Sequence, residues 1–520
     1  MKSEASARSS PGRVTAVGGS AADESALEHI SRRESKELVL AISGPVGSGQ
    51  AAVVDELGRL LKGMGYETEH LKLSKLIESL IDKEVVKPSK PAGSEPRVTR
   101  LQDAGNQLRK KYGEAVLAEL AITQIASKRL SKQGEVVASG GQPPKKVAWI
   151  VDQLKNPAEA ALLARVYGNL FYLIGVYSNE EHRLERLRDD QRFDDGVARG
   201  VMQRDRDENL AHGQRLEKTL QQAHYFIRSS SGDALGISSQ CRRLIELIHG
   251  RNGLTPTVHE SGMYAAYSAS LKSACLSRQV GASIVSRHGV VIATGCNDVP
   301  KSGGGLYVST DSPDHRCFNK GRCFNDRHKQ KIQDEIEAHL ESAGLGLAGD
   351  QVKKIAAELR QYTRIKDLIE FSRSVHAEMD AIVSVARLGG VSLVGCSLYT
   401  TTFPCHNCAR HIVASGITHV YYIEPYEKSL ARELHGEDIA FEDKDGESGA
   451  GKVRFIHFEG VAPARYHQFF QAPDGRKNKG GEAVPYPRGE GKVAPQLLDS
   501  YIDYEKKVTE ILSGKGLVSD

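Results

Sequence analysis

The stretch LVLAISGPVGSGQAAVVDELGRLL, Leu38 to Leu61, restricts the fold more than any other segment of this chain. Leu38 to Ile42 is an apolar run suited to a buried strand, and Ala51 to Leu61 places apolar side chains at helical spacing, with a glycine-rich turn between them. A strand that enters a helix through such a turn continues most simply as a parallel sheet with crossover helices. The turn has the spacing of the phosphate-cradling pattern G-x-x-x-x-G-K-[ST], in which Lys holds the β/γ-phosphates and Ser or Thr holds Mg²⁺. Here those positions are Gln50 and Ala51. Gly44, Gly47, Gly49 and Gln50 are therefore candidates for binding a nucleotide phosphate through backbone N–H groups, without the groups that position it for transfer.

From residue 37 to 250 apolar runs keep alternating with helical segments. In KKVAWIVDQLKNPAEAALLARVYGNLFYLIGVYSNEEHRLERLRDD a strand ends in Asp152 and a helix starts near Pro157. A second strand covers Leu170 to Val176, and a charged helix carries Arg183, Arg186 and Arg188. The region resembles the small P-loop kinases, dephospho-coenzyme A and nucleotide kinases among them. That resemblance implies a metal ligand at the acidic strand end and arginines that close on phosphates, in a copy whose diagnostic motif is degenerate.

A second unit spans residues 254 to 470, after the linker Arg251-Asn-Gly-Leu-Thr-Pro256. A helix (257 to 275) is followed by two strands in GASIVSRHGVVIATG, an irregular insertion (300 to 330) and a charged helical stretch. A helix from His376, a strand CSLYTTT, a helix from Cys405 and strands HVYYIEP and RFIHFEG come next. This is a mixed α/β layer with helices on both faces. The expected architecture is thus α/β: a P-loop-like parallel-sheet domain followed by a three-layer α/β/α domain with a mixed sheet. Residues 1–36 are expected to be a flexible arm, and residues 471–520 a polar, Gly/Pro-rich tail with a short terminal helix.

Composition narrows the function. Lys+Arg number 70 against 66 Asp+Glu, a net charge of +4 that argues against a dedicated polyanion-binding surface. No apolar run approaches the roughly 18 residues of a membrane span. Eight cysteines in 520 residues fit a reducing cytoplasm with thiols free for metal better than a disulfide scaffold.

Two segments of the second unit carry chemistry: His376-Ala-Glu378 and Pro404-Cys405-His-Asn-Cys408. One imidazole and two thiolates leave a tetrahedral Zn²⁺ with an open position, the arrangement of a catalytic site, where water yields hydroxide near neutral pH. Cys405 and Cys408, at i and i+3, project from one side of a first helical turn whose dipole favours thiolates. Residues i and i+2 diverge, so Glu378 is free to shuttle protons off the metal. The pattern H-x-E…P-C-x-x-C is the signature of zinc deaminases.

Beyond that signature the unit resembles the deoxycytidylate deaminases. VVIATGCNDVP is similar to the family's T-G-x-N-x-x-P strand and loop, with Thr294, Gly295, Asn297 and Pro300 in place. VYYIEPYEKSLARELHGEDI is similar to its following strand and loop, with Glu424 and Tyr426 near the pocket. The resemblance implies Asn297, Thr294 and Tyr426 as substrate-binding residues. The pairing of the two units resembles bacterial anti-phage nucleotide deaminases. It implies Zn²⁺-dependent conversion of dCMP or dCTP to dUMP or dUTP, a regulatory nucleotide, a homo-oligomer, and an inhibitory RNA or protein antitoxin. The alternatives are a polynucleotide cytidine or adenosine deaminase and an interaction protein that senses nucleotides. In the insertion, DHRCFNKGRCFNDRHK places His315, Cys317, Cys323 and His328 together as candidate ligands of a second zinc. A basic substrate loop with Arg316, Arg322 and Arg327 is the competing reading.

Overall fold

A computed structural model describes residues 34–87, 96–133, 145–206, 213–230, 233–426, 429–441, 451–471, 475–486, 492, 494–497 and 499–517. Residues 1–33, nearly all of the expected N-terminal arm, lie outside it.

The first unit is built on β1 (Leu38–Ser43), every residue of which is buried. The Gly-rich turn follows, with Gly47 and Gly49 at φ +78° and +75°, the left-handed region that favours glycine. It leads into α1 (Gln50–Gly63), whose Val53, Val54, Leu57 and Leu61 are buried. Next come β2 (Glu67–Lys72), α2 (Leu73–Asp82), α3 (Arg97–Tyr112), α4 (Val116–Gln133), β3 (Val147–Asp152), α5 (Pro157–Tyr167) and β4 (Phe171–Tyr177). The unit continues through α6 (Glu180–Gln191), α7 (Asp195–Arg206), β5 (Tyr225–Arg228) and α8 (Ala234–Ile248). Its five strands are parallel in the order β5-β4-β1-β3-β2. Period-two alternation sends Leu38, Leu40 and Ile42 to α1 and α8, and Val39 and Ala41 to the α2–α5 side, so helices cover both faces.

The second unit opens with α9 (Val258–Ser270), β6 (Gly281–Val285) and β7 (Val291–Cys296). An inserted helical hairpin, α10 (Phe324–Ser342) and α11 (Gly349–Tyr362), precedes α12 (Ala377–Leu388), β8 (Ser397–Thr402) and α13 (His406–Ala414). Then come β9 (His419–Glu424), β10 (Ile439–Phe441) and β11 (Val453–His457). The sheet order is β10-β11-β9-β8-β6-β7, parallel from β10 to β8 and antiparallel across β6 and β7. α12 and α13 pack on one face through Ala377, Ala381, Ala409 and Ile412. α9 covers the other through Met263 and Ala266, in a core continuous with that of the first unit.

The chain then returns to the first unit. β12 (Gly460–Val461) adds an antiparallel edge strand to β5, opposite Phe226 and Tyr225. Glu260, only 1 % exposed, accepts from Val461 N at 3.0 Å and from Arg243 at 2.7 Å, tying α9, α8 and β12 at one point. The His457 ring stacks on Tyr177 at 3.4 Å between centroids. The terminal helix α14 (Asp499–Gly514) buries Tyr501 and Leu512 in the core of the first unit. Beneath it Arg129 bridges Glu37, at 2.7 Å, and Glu505. The sequence-derived tail thus ends as a layer of the first domain.

Candidate active site

Two helix N-termini meet on one face of the second sheet. His376 is the residue capping α12, with extended φ −77° and ψ 153°, and Cys405 holds the same position on α13. The His376 Nδ1 atom lies 3.3 Å from Cys405 Sγ and 3.4 Å from Cys408 Sγ. Metal–ligand lengths of about 2.3 Å to sulfur and about 2.05 Å to nitrogen in a tetrahedron put sulfur and nitrogen roughly 3.6 Å apart. The donor set therefore fits Zn²⁺ in both chemistry and spacing. Among the described residues this trio is the one cluster of His, Cys, Asp or Glu able to share a cation.

Glu378, 4 % exposed, lies 3.5 Å from Cys408 Sγ and so beside the metal position. Burial pushes its carboxyl above the usual carboxylate range. The hydrogen bond from Cys408 lowers Cys405 and drives Cys408 the other way, while the bond to Cys405 raises His376. α12 sits close on β7 because Gly295 has no side chain. A Cβ there would lie 2.3 Å from Ala377 O and 2.4 Å from Ala381 N. Asp298, 2 % exposed, accepts from Ala274 N, and its carbonyl accepts from Val375 N, next to His376.

These groups open into a cavity of about 300 Å³, lined by His376, Glu378, Cys405, Asn297 and Tyr426 together with residues of the insertion. The Asn297 side chain is also engaged with backbone, accepting from Val280 N at 2.7 Å and donating to Arg278 O at 2.9 Å. Glu424, its carboxyl raised by burial, faces Arg278 at 3.5 Å, and that guanidinium lies 5.9 Å from the Tyr426 ring centre. Thr294, in β7, pairs with Ser283 of β6 and is not among the lining residues. The cavity also takes Arg278, Phe324, Lys329 and Arg373, which sequence reasoning did not single out. Their only signal was proximity: Arg278 to the strand pair, Phe324 and Lys329 to the basic insertion, and Arg373 to His376.

The four residues expected for a second zinc do not form a cluster of ligand atoms among the described residues. The His315 ring meets Tyr307 edge-on at 5.4 Å and the His328 ring stacks on Phe371 at 5.0 Å, while Cys317 and Cys323 face the cavity with Cys275. In the first unit, Gln50 Nε2 donates back to Gly44 O at 2.8 Å and to Pro45 O at 3.0 Å. Arg183 and Arg186 donate to the turn carbonyls Val46 O and Gly47 O. Asp152 pairs with His70 at 3.3 Å through one oxygen, and its other oxygen has no partner.

Residues 256–424 match the family described as cytidine and deoxycytidylate deaminase zinc-binding region. The deoxycytidylate deaminase of Enterobacteria phage T2 is 34% identical over 167 residues, 32% of this chain and 78% of that protein. A probable deoxycytidylate deaminase of Drosophila melanogaster is 49% identical over 49 residues, 9% of this chain and 23% of that protein. Among solved structures, the dCMP deaminase of cyanophage S-TIM5 in complex with dCMP and dUMP is 18% identical. It covers 39% of this chain and 98% of its own, with a TM-score of 0.22. Shikimate kinase from Acinetobacter baumannii is 16% identical, covering 42% of this chain and 96% of its own, with a TM-score of 0.23. The zinc-binding trio, the adjacent buried carboxylate and the mixed sheet that holds them define a nucleotide deaminase, a hydrolase with Zn²⁺ as cofactor. The chain belongs to the deoxycytidylate deaminase family. Among the described residues no helix is long and apolar enough to cross a membrane.

Proposed function

We propose that the chain deaminates deoxycytidine nucleotides, dCMP and dCTP, to dUMP and dUTP. The observation that carries this reading is the placement of Glu378, buried beside the metal-binding trio in a cavity that Arg278, Arg373 and Lys329 also line. His376, Cys405 and Cys408 would hold Zn²⁺, which would supply hydroxide near neutral pH. Glu378 would take the proton released as that hydroxide adds to C4 of the cytosine and pass it to N3, then carry the proton of the new C4 hydroxyl to the amine, so that the C4–N bond breaks and ammonia leaves. Those cations suit an anionic phosphate end, and Tyr426 and Phe324 add aromatic rings to the lining. A polynucleotide substrate fits less well with a near-neutral chain. Ammonia release should be measured with dCMP, dCTP, CMP, CTP and cytosine-containing single strands. Turnover of the free deoxynucleotides is expected, and turnover of the single strands alone would overturn the assignment.

In this reading the enzyme depletes cytosine nucleotides and restricts phage, as a homo-oligomer in the cytoplasm held in check by an RNA or protein antitoxin. The first unit is regulatory and answers to a nucleotide at the Gly44–Gly49 turn. Its seam with the second unit, through β12, Glu260 and the Tyr177–His457 stack, supports a role for that unit in the deaminase's response. Phage plating on cells carrying the active or the Glu378→Gln chain tests the defence role; equal plating would refute it.

A further inference from the structure

The turn between β1 and α1 keeps the glycines of a phosphate cradle, yet one of its N–H donors, that of Val46, is already engaged by a carboxylate of the chain itself. Asp205, near the end of α7 and 2 % exposed, accepts from Val46 N at 2.6 Å. Lys155, from the turn between β3 and α5, holds the same carboxylate at 2.9 Å and donates to Gly44 O at 2.7 Å. Its side chain is 12 % exposed, so the pair is almost wholly withdrawn from water. Ser48 Oγ is fully buried and has no partner. It points to the inside of the loop, since a Cβ on Gly44 would lie 2.8 Å from it and 3.0 Å from Gln50 Nε2.

These contacts have the chemistry of a bound phosphate with the phosphate replaced. An anionic oxygen accepts from a loop N–H, an ammonium neutralises it, and a buried hydroxyl waits with an unused donor. The ammonium comes from position 155, because position 50 carries an amide that turns back onto the loop carbonyls. We infer that Asp205 is a built-in anion occupying the cradle, with Lys155 as its cation, and that a phosphate group binds there only by displacing the Asp205 carboxylate. This deepens the regulatory reading of the first unit by naming what a ligand competes with.

The physical consequence is a threshold. A ligand phosphate gains Lys155, Val46 N and Ser48 Oγ only in the fraction of molecules whose carboxylate has left, and its apparent affinity falls by that fraction. The displaced carboxylate stays on α7, whose Arg204 is paired with Asp103 of α3, so displacement is transmitted to a helix that packs elsewhere in the unit. Removing the carboxylate charge while keeping its shape removes the competitor.

The test is calorimetric titration of the full chain with tripolyphosphate and with ATP, for wild type, Asp205→Asn and Asp205→Asn/Lys155→Met. Asp205→Asn is expected to bind tripolyphosphate at least about tenfold more tightly than wild type, a gain of about 1.4 kcal/mol. The added Lys155→Met should abolish that gain. Tighter binding of ATP than of tripolyphosphate assigns the natural source to a nucleotide, and equal binding assigns it to the phosphate chain; either agrees with the inference. No gain in Asp205→Asn, or a gain that survives Lys155→Met, overturns it. If Asp205→Asn does not fold, Asp205→Ser, smaller and likewise uncharged, carries the same test. Because the readout is binding, a failed deaminase assignment leaves it unaffected, and deaminase activity without this gain would sink the inference alone.

Discussion

Gly295→Ala should damage the active site from outside it. The added methyl would sit 2.3 Å from Ala377 O and 2.4 Å from Ala381 N, where ordinary contact begins at 3.4 Å. Both neighbours are backbone of α12, so no side chain can swing aside, and the helix must retreat from β7 by about 1 Å. Gly295 has no positive φ, so the penalty is steric alone. Overpacking of this kind costs typically about 1–3 kcal/mol. The functional cost is larger, because His376 and Glu378 both ride on the N-terminus of α12 while Cys405 and Cys408 stay on α13. A misplacement of about 1 Å between reacting groups is worth on the order of 10²-fold in rate. Ammonia release from dCMP, zinc content and thermal midpoint should be measured together on wild type and variant. Gly58→Ala is the control: nothing lies within 4 Å of its added methyl. It sits inside α1, where Ala is favoured by about 0.5–1 kcal/mol over Gly, so its midpoint should rise. If Gly295→Ala kept wild-type turnover and midpoint, the close approach of β7 and α12 would not be what sets the catalytic geometry.

Glu378→Gln should keep fold and zinc while lowering deamination by roughly 10²-fold to 10⁴-fold, as expected for loss of a proton-transfer group; more than a tenth of the activity remaining would remove it from that role. Cys405→Ala should lose zinc by metal analysis, and a variant with full zinc content would show another ligand set. Lys492 is 7 % exposed, donates to Ser35 O at 2.8 Å and is pushed down to about 7 by burial, with Glu37, Glu34 and Lys146 around it. Between about 7 and the ordinary 10.5 the unfolded chain binds the extra proton, so this residue makes stability rise with pH across that window. Lys492→Met should flatten the rise, read as the difference in thermal midpoint between the two proteins at each end of the window; an unchanged slope would place the titration elsewhere.

The parts of the fold legible in the sequence are those whose signal is local. β1, β3 and β4 are apolar runs buried along nearly their whole length, and they read as central parallel strands. β2 does not: Glu67–Lys72 is an edge strand in which only Leu71 is buried, so it shows no apolar run. β12 is two residues long, too short for any periodicity, and its partner β5 lies more than 200 positions earlier. The helix at 499–514 was visible as a helix, but nothing in its own residues says that α4 and α5 receive it. The metal-binding trio was readable because each half is fixed by the first turn of one helix. Arg278, Phe324, Lys329 and Arg373 reach the cavity only through the packing of separate segments. His315 and His328 were near in sequence and diverged in space, each onto its own aromatic ring.

The return of the chain to its starting domain has a consequence for biosynthesis. As the chain leaves the ribosome, β5 emerges with its outer edge bare, and that edge stays uncovered until Gly460 and Val461 arrive, after the deaminase unit has been made. The helix that seals Trp149, Tyr167 and the Arg129–Glu37 pair comes later still. An uncovered strand edge is a template for pairing with another chain. Nascent or prematurely terminated chains are therefore expected to carry a sticky first domain beside a finished second one, until the segments that cover it have been made.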